Sequence, residues 1–372
     1  MKFSFINMLT EAADPRIPHP EDAIFGPNGS ADAAQALAGL RGAIAQAGNM
    51  SIKWDGGIAL WFGRNEQGQL VVTDKYMPDK GVLATSPEQW REYDLQKKSG
   101  TTRDDLYAKL AKMWPALDKA VVGPGWFFGD LMYSEPLTPI HGRFVFKGPT
   151  VEYRVPIDSE LGHLINRTIA GIVVHVQSDS PGGAKTPWNG KGLRNIPGGV
   201  AIINPTLGIK FSLKEPVQLS KAADAAIKKW GPTVDQFLAT QSGTAKALLQ
   251  QFFNKRITNQ PEGKDLVAFL KAKASAKQFQ ILVGDQETPG ALYAQNAEGG
   301  LDESPGYTGL KAIWNAIYAF KVNLSQQLES QVKGLEQFSG GQPGGEGFVF
   351  PSPNGLVKIV NRGQFGAAHF NK

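Results

Sequence analysis

The chain has 372 residues, of which 41% are hydrophobic and 20% are charged, a balance typical of a globular protein rather than a disordered or fibrous one. Its 39 Lys and Arg against 34 Asp and Glu give a net charge of +5, which permits a nucleic-acid partner without requiring one. The chain has no cysteine, which excludes disulfides, thiolate metal sites and cysteine nucleophiles.

The first half of the chain predicts an α+β domain. Residues 31–48 predict a helix that ends at Gly48, and residues 57–76 predict a β-hairpin. Residues 103–119 predict an amphipathic helix that Pro115 bends or breaks. Three strand segments follow, namely GWFFGDLMY, RFVFKGPTVEYRVPI and TIAGIVVHVQ. The last is nearly unbroken in its apolar character, which is typical of a central buried strand.

The second half is mainly helical until the chain nears its end. After a loop rich in Gly and Pro, helical spacing covers 219–230, 232–256, 263–276 and 308–338. From about residue 339 the sequence returns to glycine turns and short strands. The length suggests about two domains. We therefore expect a sheet domain formed by 1–180 and 343–372, interrupted by a mainly helical insert at 181–342.

The N-terminal sequence does not predict a signal peptide, because acidic residues and prolines interrupt its short apolar stretch. No window reaches the roughly 18 apolar residues that a membrane span needs. We expect a cytoplasmic protein with no membrane partner.

A possible chemical site begins at Lys53, in the motif KWDG at 53–56. Alone, this motif is equally typical of an exposed lysine before a turn. It is followed in order by FFGDLMY (127–133), TIAGIVVHV (168–176), GEGFVF (345–350) and LVKIV (356–360). This ordered set resembles the motifs of the covalent nucleotidyltransferase superfamily, which includes ATP-dependent DNA and RNA ligases and mRNA capping enzymes. The motif HPED at 19–22, together with KWDG and GDLMY, further resembles RNA-ligase-like proteins of tailed bacteriophages.

The resemblance implies a ligase-type nucleotidyltransferase (adenylylation) domain of antiparallel sheets with flanking helices. It implies that Lys53 attacks the α-phosphate of ATP, that Asp55 shapes the turn, and that Lys358 stabilises the phosphate. The implied contacts to the nucleotide come from Ile52, Gly56, Lys75, Asp130, Ile172, Val174 and Glu346. Ile172 and Val174 would face the base. Asp130 and Glu346 suit contacts to the ribose and to Mg²⁺ or Mn²⁺, since hard cations prefer oxygen ligands.

The chemistry explains the residue types. A lysine amine attacks only when it is neutral, and the ordinary lysine pKa of about 10.4 implies a closed, metal-loaded pocket that favours the neutral form. A covalent phosphoramidate then splits one difficult step into two easier ones. Gly56 would let the backbone approach the nucleotide closely.

The predicted function is an ATP-dependent polynucleotide ligase, with RNA ends favoured over RNA/DNA hybrids or DNA. A lysyl-AMP intermediate would pass AMP to a 5′-phosphate, and a 3′-hydroxyl would then attack to form a phosphodiester. The sequence ends soon after Lys358, so we expect no C-terminal OB barrel of the kind found in DNA ligases and capping enzymes. The alternatives are a DNA nick-sealing ligase, a capping-type nucleotidyltransferase and an inactive nucleic-acid-binding module. A phage-encoded enzyme would work in the host cytoplasm.

Each candidate also has a structural interpretation. Asp130 could be a lone buried carboxylate, although burial without a partner is costly. Glu346 could be a loop carboxylate, and Lys358 could be an edge-strand lysine that opposes aggregation. His175 is interpreted as a core or strand-end histidine without a catalytic role. Ser51 stands where ligases often carry a glutamate that recognises the base, so base specificity stays open.

Overall fold

The computed structural model describes residues 19–97, 103–257, 265–275, 291–295, 298, 301–352 and 355–365. The chain divides into two compact units. The described residues of the first, the sheet unit, lie in Ser51–Ile209 and Val332–Glu346. Those of the second, the helical unit, lie within 19–50, 210–331 and 347–365.

The α-helices include α1 (Ser30–Ala45), α2 (Pro87–Lys97), α3 (Asp104–Ala120), α4 (Glu160–Ile165), α5 (Val217–Ala239), α6 (Gly243–Ile257), α7 (Leu266–Lys273) and α8 (Pro305–Glu329). Strands β1 to β8 are Ser51–Ile52, Ile58–Arg64, Leu70–Asp74, Trp126–Tyr133, Arg143–Lys147, Glu152–Pro156, Ala170–Ser178 and Thr186–Pro187. Strands β9 to β15 are Val200–Ile203, Tyr293–Gln295, Leu301–Glu303, Glu336–Ser339, Gln342–Pro343, Phe348–Ser352 and Gly355–Ile359.

Two sheets form the frame of the sheet unit. In the larger sheet the strand order is β3-β2-β4-β7-β8, and β9 pairs in parallel with β7. The smaller sheet has the order β13-β12-β6-β5, and its pairs are antiparallel. In the described part of the chain these are open sheets rather than a closed barrel. The predicted mixed α+β class with antiparallel sheets is confirmed.

One face of the larger sheet packs against α3. Side chains alternate along a strand, so Leu60 and Phe62 of β2 point to this face. They share a core with Leu110, Met113 and Leu117, which follow helical spacing on α3. Helix α3 continues through Pro115, so the break is absent. The buried apolar face offsets the cost of about 3 kcal/mol that an internal proline imposes.

Several predicted elements of the sheet unit are confirmed. The hairpin predicted at 57–76 is β2 and β3, paired from Leu60 opposite Asp74 to Arg64 opposite Leu70. The predicted central strand is β7, which pairs with β4, β8 and β9 and is buried over most of its length.

The helical unit is built mainly on α1, α5 and α8. Helices α5 and α8 approach closely because Gly306 of α8 faces Phe237 of α5. A Cβ on Gly306 would lie 2.5 Å from the Cβ of Phe237. The predicted break near residue 231 is wrong, since α5 runs through Pro232 and ends at Ala239. Val234 and Phe237, which follow the proline, are buried, and their packing stabilises the helix beyond Pro232.

The boundary predicted at residue 338 is also wrong. Helix α8 ends at Glu329, and Gly334 has a φ of 72°, a left-handed conformation that glycine adopts without strain. Residues 336–339 form β12 of the sheet unit. The prediction for 263–276 corresponds to α7, and residues 263, 264 and 276 lie outside the described residues.

The division into units differs from the predicted domains. Residues 181–209, β12 and β13 belong to the sheet unit, whereas α1 and residues 347–365 belong to the helical unit. Among the described helices, none is both long enough and apolar enough to cross a membrane.

Candidate functional site

The KWDG turn lies between β1 and β2 in the sheet unit, and its alternate side chains are anchored. The Trp54 ring stacks on Tyr153 with centroids 5.1 Å apart, and its Nε1 donates to the carbonyl of Pro205 at 3.2 Å. Ile52 is buried, and its backbone N–H donates to the same carbonyl at 3.1 Å. Lys53 lies between these two buried residues and keeps 29% of its side chain exposed.

The amine of Lys53 contacts the carboxylate of Glu346 through Oε2. Only 13% of the Glu346 side chain is exposed, so the two charges interact with less screening than a surface pair. Glu346 follows Gly345, where a Cβ would lie 2.1 Å from Oε1 of Gln337. The chain therefore passes closely over the side chain of Gln337 on β12 as it reaches the lysine. Both predicted residues are therefore brought together.

Asp55 is held by the loop that joins β5 to β6. Its Oδ2 accepts hydrogen bonds from the backbone N–H and the hydroxyl of Thr150, each at 2.6 Å. Its backbone N–H donates to the hydroxyl of Tyr153 at 2.6 Å. Burial raises the pKa of Tyr153, so this hydroxyl keeps its proton at neutral pH. These bonds fix the turn that carries Lys53.

The glycines of the turn lie against β4. Gly57 donates its N–H to the carbonyl of Leu131 at 2.9 Å. A Cβ on Gly56 would lie 2.5 Å from the Cβ of Asp130, closer than real Cβ atoms approach. Gly56 therefore allows the lysine turn to contact the strand that carries Asp130.

Asp130 is paired with a histidine that the sequence interpretation left without a role. Its Oδ2 lies 3.1 Å from Nε2 of His175, and both side chains are half-buried. An ionised carboxylate only accepts, so the histidine donates. Opposite Phe128 and Gly129, β7 presents Val176 and Val174, which leaves His175 as the extra residue of a β-bulge. Bulges re-aim side chains and are common near active sites.

Ile172 and Val174 do not face this site. Both are 0% exposed and belong to the core beneath α3, together with Leu131. Asp130 precedes Leu131 on β4, and alternation along the strand directs its side chain to the other face. The prediction that Ile172 and Val174 contact a base is therefore corrected. When every side chain of a strand is apolar, the sequence does not indicate which of the two alternating sets of side chains faces a ligand.

Two further predicted lysines, Lys75 and Lys358, lie beside and within strands. Lys75 follows β3, and its amine lies 4.9 Å from the centre of the Tyr76 ring. Lys358 lies on β15, opposite Val349 of β14, and belongs to the helical unit. Their implied roles toward phosphate stay predictions.

The predicted metal ligands were Asp130 and Glu346. Across the residues that the structure describes, no group of three or more His, Asp or Glu side chains is placed to hold a metal ion. A magnesium ion that arrives with a nucleotide needs only one or two protein carboxylates, since phosphates and waters complete its shell. The oxygen donors of Asp130 and Glu346 fit that requirement.

The HPED motif lies in the helical unit, where its two acidic residues join a network of ion pairs. Glu21 and Lys321 are both fully buried and contact each other through Oε1 and Nζ. Arg362 donates to Glu21 at 2.9 Å and to Asp22 at 3.0 Å. Asp22 also accepts from Nε1 of Trp314 at 3.0 Å. We refer to Glu21, Asp22, Lys321 and Arg362 as the buried ion network.

Sequence reasoning missed three residues at the site: Thr150, Tyr153 and His175. Their partners, Asp55 and Asp130, lie 95, 98 and 45 positions away along the chain. No spacing rule connects positions so far apart. The only local signal was the glycine-proline turn before Thr150, which predicts a hairpin loop rather than a contact.

A family model described as a family of unknown function, DUF6267, matches residues 15–372. No curated protein and no solved structure matches the chain.

Proposed function

We propose that this chain, which belongs to the DUF6267 family, is an ATP-dependent RNA ligase that carries AMP on Lys53. The observation that supports the proposal is the contact between Lys53 and Glu346, beside the turn fixed by Asp55. An amine and carboxylates gathered on glycine-rich turns suit attack on a nucleoside triphosphate. The acceptor, an RNA end, is inferred from the resemblance to ligases in the order of the motifs.

In the first step, Nζ of Lys53 attacks the α-phosphorus of ATP. A nitrogen–phosphorus bond forms, the bond from the α-phosphorus to the bridging oxygen breaks, and pyrophosphate leaves. An ammonium held by a carboxylate is not a nucleophile, so Lys53 must first lose one proton to solvent, and a second proton leaves its nitrogen as the phosphoramidate forms. Glu346 orients the amine at the start of this step.

In the second step, an oxygen of an RNA 5′-phosphate attacks the same phosphorus. The nitrogen–phosphorus bond breaks, Lys53 regains its two protons from solvent, and AMP is joined to the RNA through a pyrophosphate linkage. A 3′-hydroxyl then attacks the 5′-phosphate, and AMP leaves as the phosphodiester forms. Asp55 holds the turn in place during these steps through its bonds to Thr150.

Mg²⁺ or Mn²⁺, when bound, would neutralise charge on the triphosphate. Asp130 and Glu346 are the residues that would hold it. Asp130 also suits a contact with the ribose, because His175 already fixes the direction of its carboxylate. Glu346 contacts Lys53 directly, and Asp130 lies on the strand against which Gly56 of the lysine turn packs.

The test is intact-protein mass spectrometry after incubation with Mg²⁺ and ATP, GTP or NAD. Bound AMP is first removed from the protein with pyrophosphate. We expect an AMP-sized gain from ATP in the wild type and in Lys112→Ala, a control at an exposed lysine of α3. Lys53→Ala and Lys53→Arg should show no gain, because neither supplies a nucleophilic amine.

A mass gain from GTP alone would contradict the ligase proposal and favour a capping-type nucleotidyltransferase. An unchanged gain in Lys53→Ala would exclude Lys53 as the nucleophile. Absence of a gain with every nucleotide would favour an inactive binding module. Joining of a 5′-phosphorylated RNA, compared with a nicked DNA duplex, then identifies the acceptor.

A further inference from the structure

The loop at 148–150, between β5 and β6, packs directly on the KWDG turn. At Gly148 a Cβ would lie 1.8 Å from the backbone oxygen of Asp55, so no other residue fits there without movement. Thr150, two residues later, donates both its N–H and its hydroxyl to Oδ2 of Asp55 at 2.6 Å. The loop at 148–150 therefore contacts the KWDG turn through both its backbone and the side chain of Thr150.

The hydroxyl of Thr150 also lies 3.4 Å from Oε1 of Glu346. A threonine hydroxyl has one proton to donate, and the shorter distance assigns it to Asp55 in this arrangement. Thr150 is thus the neighbour of two carboxylates, one in the lysine turn and one in contact with the lysine amine. Without a donor between them, two nearby anions would repel each other.

We propose that Thr150 is a positioning residue for the transfer of AMP to Lys53. This inference rests on the proposed function. The hydroxyl holds Asp55, the bonds of Asp55 hold the turn, and the turn holds Nζ of Lys53 in line with the phosphorus. Small displacements of a reacting group reduce the rate strongly while leaving substrate affinity unchanged.

The structure allows the role of the hydroxyl to be tested separately from that of the loop. The backbone N–H of Thr150 donates to Asp55 whatever the side chain is. The carbonyl of Thr150 accepts from Ser339 at 3.3 Å, which also survives substitution. Thr150→Val keeps the shape and removes the hydroxyl, whereas Thr150→Ser keeps the hydroxyl and removes a methyl group.

The experiment measures the rate of Lys53-AMP formation against ATP concentration by intact-protein mass spectrometry. We expect Thr150→Val to lower the maximal rate by about tenfold or more, with the half-saturating ATP concentration unchanged, because a charged group loses a hydrogen bond. Thr150→Ser should restore the rate to within about threefold of the wild type, a loss well below that tenfold. Thr186→Val, at an exposed threonine of β8, is the matched control and should equal the wild type.

Three results would overturn the assignment of Thr150. One is a wild-type rate in Thr150→Val. Another is an equal loss of rate in Thr150→Val and Thr150→Ser, which would indicate packing rather than the hydroxyl. The third is a change in the half-saturating ATP concentration with the maximal rate unchanged, which would contradict positioning. Absence of any adduct on the wild type would be a different failure, because it would overturn the proposed function and the inference with it.

Discussion

The amine of Lys53 contacts the carboxylate of Glu346, which lies 293 positions further along the chain. Between the two residues the chain leaves the sheet unit, forms much of the helical unit and returns at residue 332. The contact therefore depends on the return of the chain rather than on local sequence. It makes Glu346 the residue whose change most directly tests the state of the lysine amine.

We expect Glu346→Gln to slow formation of the Lys53-AMP adduct by about a hundredfold, because the amide loses the charge that orients the amine. The shape of the side chain is kept, so the loss reports on charge. The rate is measured by mass spectrometry in a single turnover with ATP and Mg²⁺.

Glu336→Gln provides the control for this substitution. Glu336 lies in the same returning segment, and its carboxylate accepts from Arg143 at 2.8 Å. Removing the charge of Glu336 should leave the rate of Lys53-AMP formation unchanged. Equal rates in Glu346→Gln and the wild type would contradict the assigned role of Glu346, and equal losses in both variants would indicate a general effect on the segment.

The two adjacent glycines of the lysine turn provide a second test. A Cβ on Gly56 would lie 2.5 Å from Asp130, whereas a Cβ on Gly57 would lie 3.8 Å from the nearest heavy atom. We expect Gly56→Ala to destabilise the protein by about 1 to 3 kcal/mol and to slow adduct formation by about a hundredfold. Gly57→Ala should match the wild type in both measurements.

Urea unfolding and the single-turnover rate measure these effects. A wild-type rate in Gly56→Ala would show that the contact between the turn and β4 is not needed. An equal loss in both variants would show that the turn needs backbone freedom rather than close approach.

The sequence predicts those residues of the site that lie within the ordered short motifs. Short patterns predict Lys53 and Glu346, and the structure brings their side chains into contact. Short patterns also predict Asp55 and Asp130, and the structure packs the lysine turn against the strand of Asp130. The strands that carry Asp130 and the predicted base contacts were also found correctly. Their side-chain directions were not, since a fully apolar strand such as β7 gives the same pattern for both faces.

The parts that failed depend on contacts distant in sequence. The bulge that turns His175 toward Asp130 arises from the register between β4 and β7, which no single segment contains. The break predicted near residue 231 is wrong because packing, rather than local propensity, carries α5 through Pro232. The end predicted at residue 338 is wrong because α8 stops at Glu329, before the left-handed turn at Gly334. The division into two units likewise follows contacts among segments far apart in the chain.

A third prediction concerns the pair formed by Asp130 and His175. If Asp130 contacts the ribose, the wild type should form its adduct faster with ATP than with 2′-deoxy-ATP. His175→Ala should reduce this preference by about tenfold, because Asp130 loses the donor that fixes its direction. The ratio of the two rates is the measurement, since a general loss of activity does not change it.

His163→Ala, at an exposed histidine of α4, is the control and should keep the wild-type ratio. His175→Gln keeps a side-chain donor and should recover part of the preference. An unchanged ratio in His175→Ala would assign the bulged histidine to structure alone.

The last prediction concerns the buried ion network. Burial opposes charge on Glu21, but Lys321 and Arg362 together hold its pKa below the ordinary value. Burial lowers the pKa of Lys321 to about 8, against the opposing attraction of Glu21. Glu21→Gln therefore removes a carboxylate from the buried Lys321 and the partly buried Arg362, and we expect a loss of about 3 kcal/mol in the free energy of unfolding at pH 7.

The pH dependence gives this prediction its sign. A carboxyl group with a lowered folded pKa stabilises the protein above its unfolded pKa of about 4.5, and the stabilisation is lost as pH falls through the folded value. The difference between wild type and Glu21→Gln should therefore shrink in acid below about pH 4.5. Urea unfolding of the full chain from pH 3 to pH 7 measures this difference.

The double variant Glu21→Gln, Lys321→Met should recover most of the loss, because no buried amine then lacks its carboxylate. A difference that stays constant with pH, or a double variant as unstable as Glu21→Gln, would show that charge pairing is not what Glu21 contributes.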